Sequence, residues 1–237
     1  MIFQNKYNKA KEITESYLKN SSSPYISMSW GKDSIFLCHM IRELMPEIKV
    51  VYLNSGYALP DTYEIRDRLV NEWKLNYTEI KQEVDYIELC ELIGLPHERT
   101  VGDQNRAVQM LKKKSLDAWA IENGHDLCFW GIRADEAKKR QWLFKKYGYS
   151  VHTNGITKVH PIIHYRLNEL WCSYDELNIP VNQIYTKDKF LKKEQIRNTG
   201  WVSTDGADSG KIMWLKYYYP EYFAKLMVKF PKVRAYV

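Results

Sequence analysis

The chain has 237 residues, 45% of them hydrophobic, and a formal net charge of +6. That length suits one sizeable α/β core and leaves little room for a second compact domain. No apolar run approaches the ~20 residues that cross a bilayer, and the charged, amphipathic start lacks the unbroken apolar stretch of a signal peptide. The cytoplasm is the expected location, with no membrane partner.

Residues 5–19 place Tyr7, Ala10, Ile13 and Tyr17 at helical spacing. A polar turn, Ser21 to Pro24, is followed by a short strand, Tyr25 to Ser29, and a loop, Trp30 to Ser34. An apolar helix then runs from about Ser34 to Leu44 and stops before Pro46. Ile48 to Leu53 is β-branched and apolar throughout, as a parallel strand covered on both faces is. Pro60 opens a helix to about Trp73, and a third strand lies near Tyr77 to Ile80. Residues 84–104 are irregular, with room for a short helix. A helix from about Gln104 to Asn123 leads into the strand Leu127 to Gly131, and another helix begins near Ala134. Tyr147 to His160 has the glycines and alternation of a hairpin. Helices are expected at 166–177, 188–198 and 209–228.

Strand–helix alternation over 25–140 implies an open parallel sheet, and ligands bind such sheets beyond the strand C-terminal ends. Three polar loops leave strands at that edge: 29–34, 54–57 and 131–136. Residues 1–180 form the expected main domain, and 181–237 a helical C-terminal extension packed on it.

Four cysteines, Cys38, Cys90, Cys128 and Cys172, form no C-x-x-C pair, so buried free thiols are expected and no metal site. His160 and His164 have i, i+4 spacing without a carboxylate to complete a ligand set. Lysines cluster at 112–114, 138–139, 145–146 and 192–193. Each cluster taken alone suits a solvated face; together they suit an anionic partner, nucleotide phosphate or nucleic acid.

The chemistry centres on Ser29-Trp30-Gly31-Lys32-Asp33-Ser34. Gly31 allows close approach of a ligand, and the helix start offers free N–H groups and a positive dipole end to an anion. Asp33 or Ser34 could equally cap the helix. Ile26 stands where a Walker A loop needs its first glycine.

This loop resembles the S-G-G-x-D-S motif of PP-loop proteins, with Trp30 in place of the first glycine. Leu53 to Thr62, which contains Asn54, Ser55, Gly56 and Asp61, is similar to the D-T-G-x-x-F-P-E-T segment of phosphoadenosine phosphosulfate (PAPS) reductases. Gly131-Ile132-Arg133-Ala134-Asp135-Glu136, followed by Arg140, is similar to that family's G-x-R stretch. His160-Pro161-Ile162-Ile163 and Asn168-Glu169-Leu170-Trp171 resemble its P-I-x-x-W and D-V-W segments. The resemblance implies a doubly wound, mainly parallel five-stranded sheet of the adenine nucleotide alpha-hydrolase-like kind. It implies adenine held by backbone at the ends of the first two strands, near Asn54, Ser55, Gly56 and Thr62. The phosphates of ATP or PAPS would lie on Ser29 to Ser34. Gly131, Arg133 and Arg140 would face the far phosphate or sulfate, and Lys32, Asp33 and Arg133 are the catalytic candidates. The alternative for both arginines is a surface ion pair with Asp135 or Glu136.

Where the family keeps a reactive cysteine on its C-terminal tail, this tail reads Lys229 to Val237 with none. Where a second branch binds an iron–sulfur cluster, Trp201 and Thr204 stand among residues 198–205, so no cluster is expected. The helix that follows, Asp208-Ser209-Gly210-Lys211-Ile212-Met213-Trp214-Leu215, is retained, with Asp208 or Ser209 as its expected cap. Two chemistries fit. The favoured one cleaves ATP between the α and β phosphates, with Mg²⁺, to adenylate an unknown second substrate; the other handles a sulfonucleotide with a partner's thiol. A different class is a non-catalytic, nucleotide-dependent module acting with a nucleic-acid or protein partner, as relatives in DNA-modification and phage systems suggest. Self-association into a homo-oligomer is a further expectation.

Overall fold

The computed structural model describes residues 2–56, 58–82, 84–95, 100, 102–103, 115–198 and 210–237. Its sheet has six strands in the order β3-β2-β1-β4-β6-β5. These are β1 (Pro24–Met28), β2 (Lys49–Asn54), β3 (Asn76–Lys81), β4 (Leu127–Trp130), β5 (Ser150–Thr153) and β6 (Ile156–Val159). β1 pairs in parallel with β2 and with β4, and β4 in parallel with β6. The sheet is mainly parallel as expected, but it has six strands, not five. The hairpin does not stand apart: its second strand docks on β4 with Leu127 opposite Thr157, and β5 completes the edge antiparallel to β6.

The helices described are α1 (Ile2–Leu18), α2 (Lys32–Arg42), α3 (Pro60–Glu72), α4 (Tyr86–Ile93), α5 (Leu116–Glu122), α6 (Lys138–Tyr147), α7 (Leu167–Glu176), α8 (Lys211–Tyr218) and α9 (Pro220–Lys229). Alternate residues of β1 feed two cores, as the two-residue strand period requires. Ile26 and Met28 join the larger core with residues of α1, α2, α3 and α7. Tyr25 joins Val51, Cys128, Ile156 and the α5 residues Leu116 and Ala120 in the smaller one. Both faces are covered, which explains the unbroken apolar run of β2.

Several helix expectations change. Ala134–Glu136 is a 3-10 turn and α6 begins only at Lys138. Residues 188–198 hold no α-helix, only the 3-10 turn Lys193–Gln195. Their buried apolar residues, Leu191 and Ile196, are five apart and make no helical stripe. The span 209–228 is two helices, because Pro220 cannot continue the hydrogen-bond ladder and Tyr219 turns out with φ −139°. The first part of the expected helix 104–123, and the segment 199–209 with Trp201, Thr204, Asp208 and Ser209, lie outside the described residues.

By its internal contacts the chain divides into two units. The first holds Met1–Leu53, Glu64–Ile80 and Ser115–Asn182; the second holds Asn54–Tyr63, Lys81–Lys114 and Gln183–Val237. Among the described residues no helix is long and apolar enough to cross a membrane.

Candidate functional site

In the first unit β1 hands over to α2 through Ser29, Trp30 and Gly31. Gly31 is the N-cap, with extended backbone and no side-chain capping bond. Neither Asp33 nor Ser34 caps the helix, contrary to one sequence expectation. The Ser34 hydroxyl donates to the Gly31 carbonyl at 3.1 Å and accepts from the Ser29 amide at 3.2 Å, while the Ser29 and Ser34 hydroxyls lie 3.0 Å apart. The serines thus close the loop on itself, and the N-cap glycine supplies no side-chain cap. Such an end attracts anions.

Trp30 explains its own departure from glycine. Its φ of 61° lies in the left-handed region, which costs a non-glycine residue roughly 1–2 kcal/mol. The indole offsets that cost by complete burial, with its ring edge-on to Tyr52 at 6.2 Å and Tyr77 at 5.7 Å. Two residues that sequence reasoning missed hold the loop from outside: the Asn182 amide donates to the Trp30 carbonyl at 3.1 Å, and the Tyr174 hydroxyl to the Lys32 carbonyl at 2.5 Å. Nothing local in the sequence announces either contact.

Gly131 comes in from β4. A Cβ built on it would stand 2.8 Å from the carbonyl carbon and oxygen of Asp33 and 2.9 Å from the Cα of Ser34. Backbone meets backbone here, so the glycine is sterically required.

Two residues on, Arg133 is only 2% exposed. Its Nε donates to Asp33 Oδ1 at 2.5 Å and its Nη1 to Asp135 Oδ1 at 2.6 Å, while Nη2 lies 4.0 Å from Glu136 Oε1. Lys32, also buried, sets its ammonium 3.1 Å from Asp33 Oδ2. Lys32, Asp33 and Arg133 therefore form one continuous chain of ion pairs. The ion pair with Asp135, weighed for Arg133 from sequence, is present: its guanidinium side is buried, while the Asp135 carboxylate is partly open to solvent. Arg140 pairs with Glu136 and stays partly exposed. Lys138 and Lys139 are exposed, as expected.

The other candidates belong to the second unit. Asn54 Oδ1 accepts from the Gly56 amide at 2.9 Å and from the Tyr63 hydroxyl at 3.3 Å. Gly56 has φ 75°, and a Cβ there would meet the Asp85 Cβ at 2.8 Å. Ser55 is half-buried; Thr62 is fully buried and its hydroxyl lacks a hydrogen-bond partner. Asp61, which sequence reasoning named only as a departure from the motif, is buried beneath the Lys187 ammonium and accepts from the Tyr219 hydroxyl at 2.6 Å.

Among the described residues no group of three or more His, Cys, Asp and Glu could hold a metal ion. His160 is buried, and burial draws its pKa down to about 4. Cys38 and Cys128 are buried thiols with pKa pushed up to about 12 by desolvation, whereas Cys172 is exposed on α7, against expectation.

Comparison with known proteins adds family context. Residues 23–219 match the model of the phosphoadenosine phosphosulfate reductase domain. A phosphoadenosine 5'-phosphosulfate reductase of Buchnera aphidicola is 27% identical over 169 residues, covering 68% of this chain and 64% of that protein. The chain thus spans under two thirds of that relative's length. Three solved structures share the fold. A PAPS reductase from Candida auris, in a phosphate complex, has TM-score 0.58 at 12% identity, covering 75% of this chain and 84% of that one. An FMN adenylyltransferase from Candida glabrata, in complex with FAD and inorganic pyrophosphate, has TM-score 0.54 at 13% identity, covering 77% and 60%. A U34-tRNA thiolase from Methanococcus maripaludis, with its [4Fe-4S] cluster, has TM-score 0.56 at 14% identity, covering 98% and 76%.

Proposed function

The chain belongs to the phosphoadenosine phosphosulfate reductase domain family, and from that premise we propose that it binds an adenine nucleotide on Ser29 to Ser34 and cleaves ATP between the α and β phosphates. The observation that carries this reading is the uncapped N-terminus of α2 at the end of β1, flanked by the buried cations Lys32 and Arg133. A substrate oxygen attacks the α-phosphorus, the bond from that phosphorus to the bridging oxygen breaks, and pyrophosphate leaves. The chain contributes chiefly position and charge: backbone N–H groups of the first turn, Lys32, and Arg133 oriented by Asp33. The fold is one on which a neighbour carries out adenylyl transfer, in keeping with this choice.

ATP, AMP, PAPS and adenosine 3′,5′-bisphosphate should be compared by thermal shift, with pyrophosphate release measured in parallel. Ligand at 100 times Kd adds about 2.7 kcal/mol of stability, a rise of several degrees for a chain of this size. Asp33→Asn combined with Ser34→Ala, which keeps side-chain volume, should remove the ATP shift from a protein that still folds. An undiminished shift would move the site elsewhere. Binding without pyrophosphate release under any condition would leave a nucleotide-dependent binding module in place of the enzyme.

The same reading expects no iron–sulfur cluster, because residues 198–205 carry Trp201 and Thr204 and no cysteine. Anaerobically purified protein should be colourless and free of stoichiometric iron. Brown protein with acid-labile sulfide would refute the motif alignment.

A further inference from the structure

The sheet order reverses between β3 and β4. From β1 the chain builds β2 and β3 to one side, then crosses to place β4 against the other edge of β1. Open α/β sheets bind ligands in the crevice at such a reversal, beyond the strand C-terminal ends. β1 and β4 pair there through Ser27 opposite Trp130, the last residue of β4.

Trp130 is 37% exposed, whereas Cys128 and Phe129 before it are buried. A lone exposed tryptophan would need no explanation. This one is held from several sides. Its indole N–H donates to the Ser27 hydroxyl at 2.6 Å. The ring stacks against His160 at 6.1 Å and 22°. The Lys158 ammonium lies 5.1 Å from the ring centre and is itself fixed by Asp117 at 2.7 Å. His160 is buried with its Nδ1 unpartnered, and it stays neutral at physiological pH. Residues of β1, β6 and α5 thus orient an aromatic surface that the cores do not use. Directly after it, Gly131 touches the first turn of α2.

We propose that Trp130 is a ligand-binding residue whose exposed indole stacks on the base of the bound nucleotide at the β1–β4 crevice. The inference rests on the nucleotide reading above and adds to it a named platform. Stacking on an aromatic side chain is indifferent to the hydrogen-bonding edge of a base. Trp130 therefore sets the affinity for purines, while the preference among them comes from elsewhere.

The test is calorimetric titration of wild type, Trp130→Ala, Trp130→Leu and Trp130→Phe with adenosine, ATP, GTP and inorganic tripolyphosphate. Trp130→Ala should weaken adenosine and ATP by the same factor, about tenfold or more, leave tripolyphosphate unchanged and keep the ratio of ATP to GTP. Leucine should behave as alanine does, and phenylalanine should recover most of the loss without the Ser27 bond. Circular dichroism on each variant confirms the fold, and the phenylalanine variant keeps the comparison valid if alanine unfolds. Adenosine bound equally by wild type and the leucine variant would sink the platform and leave the nucleotide reading intact. A wild type that binds neither adenosine nor ATP would remove both. A loss confined to tripolyphosphate would make the residue a support for the phosphate loop and overturn the proposal.

Discussion

Gly131→Ala should abolish nucleotide binding and lower the melting temperature, although it adds a single methyl group. The new Cβ would sit 2.8 Å from the backbone of Asp33 and 2.9 Å from that of Ser34, and backbone has no rotamer with which to yield. Either β4 or the start of α2 has to move. Forced insertions into packed sites cost about 1–3 kcal/mol and at times more, and each kcal/mol lowers Tm by about 2–4 °C at this chain length. The loss of binding should exceed what that destabilisation accounts for, because the displaced element is the turn on which the proposed nucleotide site is built. Gly124→Ala is the matched control: φ is +70°, but nothing lies within 4 Å of the new methyl, so only backbone strain is added and binding should persist. Differential scanning fluorimetry with ATP titration measures both quantities. Full ATP affinity in Gly131→Ala would show that contact between the end of β4 and α2 is not part of the site.

The features that were legible in the sequence are local ones. The β-branched run of β2, the polar loop between β1 and α2 and the apolar spacing of α2 each follow from residues a few positions apart, and the structure has these elements within about two residues of the expectation. The motif order named Lys32, Asp33 and Arg133 as candidates for one site, and the three side chains lie in ion-pair contact. What escaped depends on partners distant in sequence. Nothing near Arg133 announces that Asp33, a hundred positions earlier, takes its Nε. Nothing near Asn182 or Tyr174 points to carbonyls of the 29–34 loop. The sixth strand was hidden likewise: alternation revealed the hairpin, but its docking on β4 is a main-chain pairing without a side-chain signature. The helix expected over 209–228 divides for a local reason that the sequence does carry, Pro220, which outweighs the continuous apolar pattern.

Arg133→Ala carries the largest expected penalty, in stability and in binding. Removing one partner from a buried pair leaves the other uncompensated, at about 3–5 kcal/mol. Here the orphan is Asp33, whose side chain is only 12% exposed and would keep Lys32 alone. Adding Asp33→Ala to Arg133→Ala should recover part of the loss, since the double variant buries no unpaired carboxylate. The nucleotide effect has a different origin. Asp135 is the more exposed of the two hydrogen-bonded carboxylates on Arg133, with 33% of its side chain open. Water can solvate it if the guanidinium turns away, so a phosphate beyond the α position can take its place cheaply. Arg133→Ala should therefore weaken ATP and PAPS far more than AMP, by about ten- to a hundredfold for a lost charged hydrogen bond. Lysine should restore part of the stability and little of the discrimination, because it keeps the charge and loses the fork. Urea denaturation of the four proteins gives the stability terms, and titration with ATP, PAPS and AMP gives the binding terms. Equal losses for all three nucleotides would confine Arg133 to holding Asp33 in place, and the terminal anion would then need another reader.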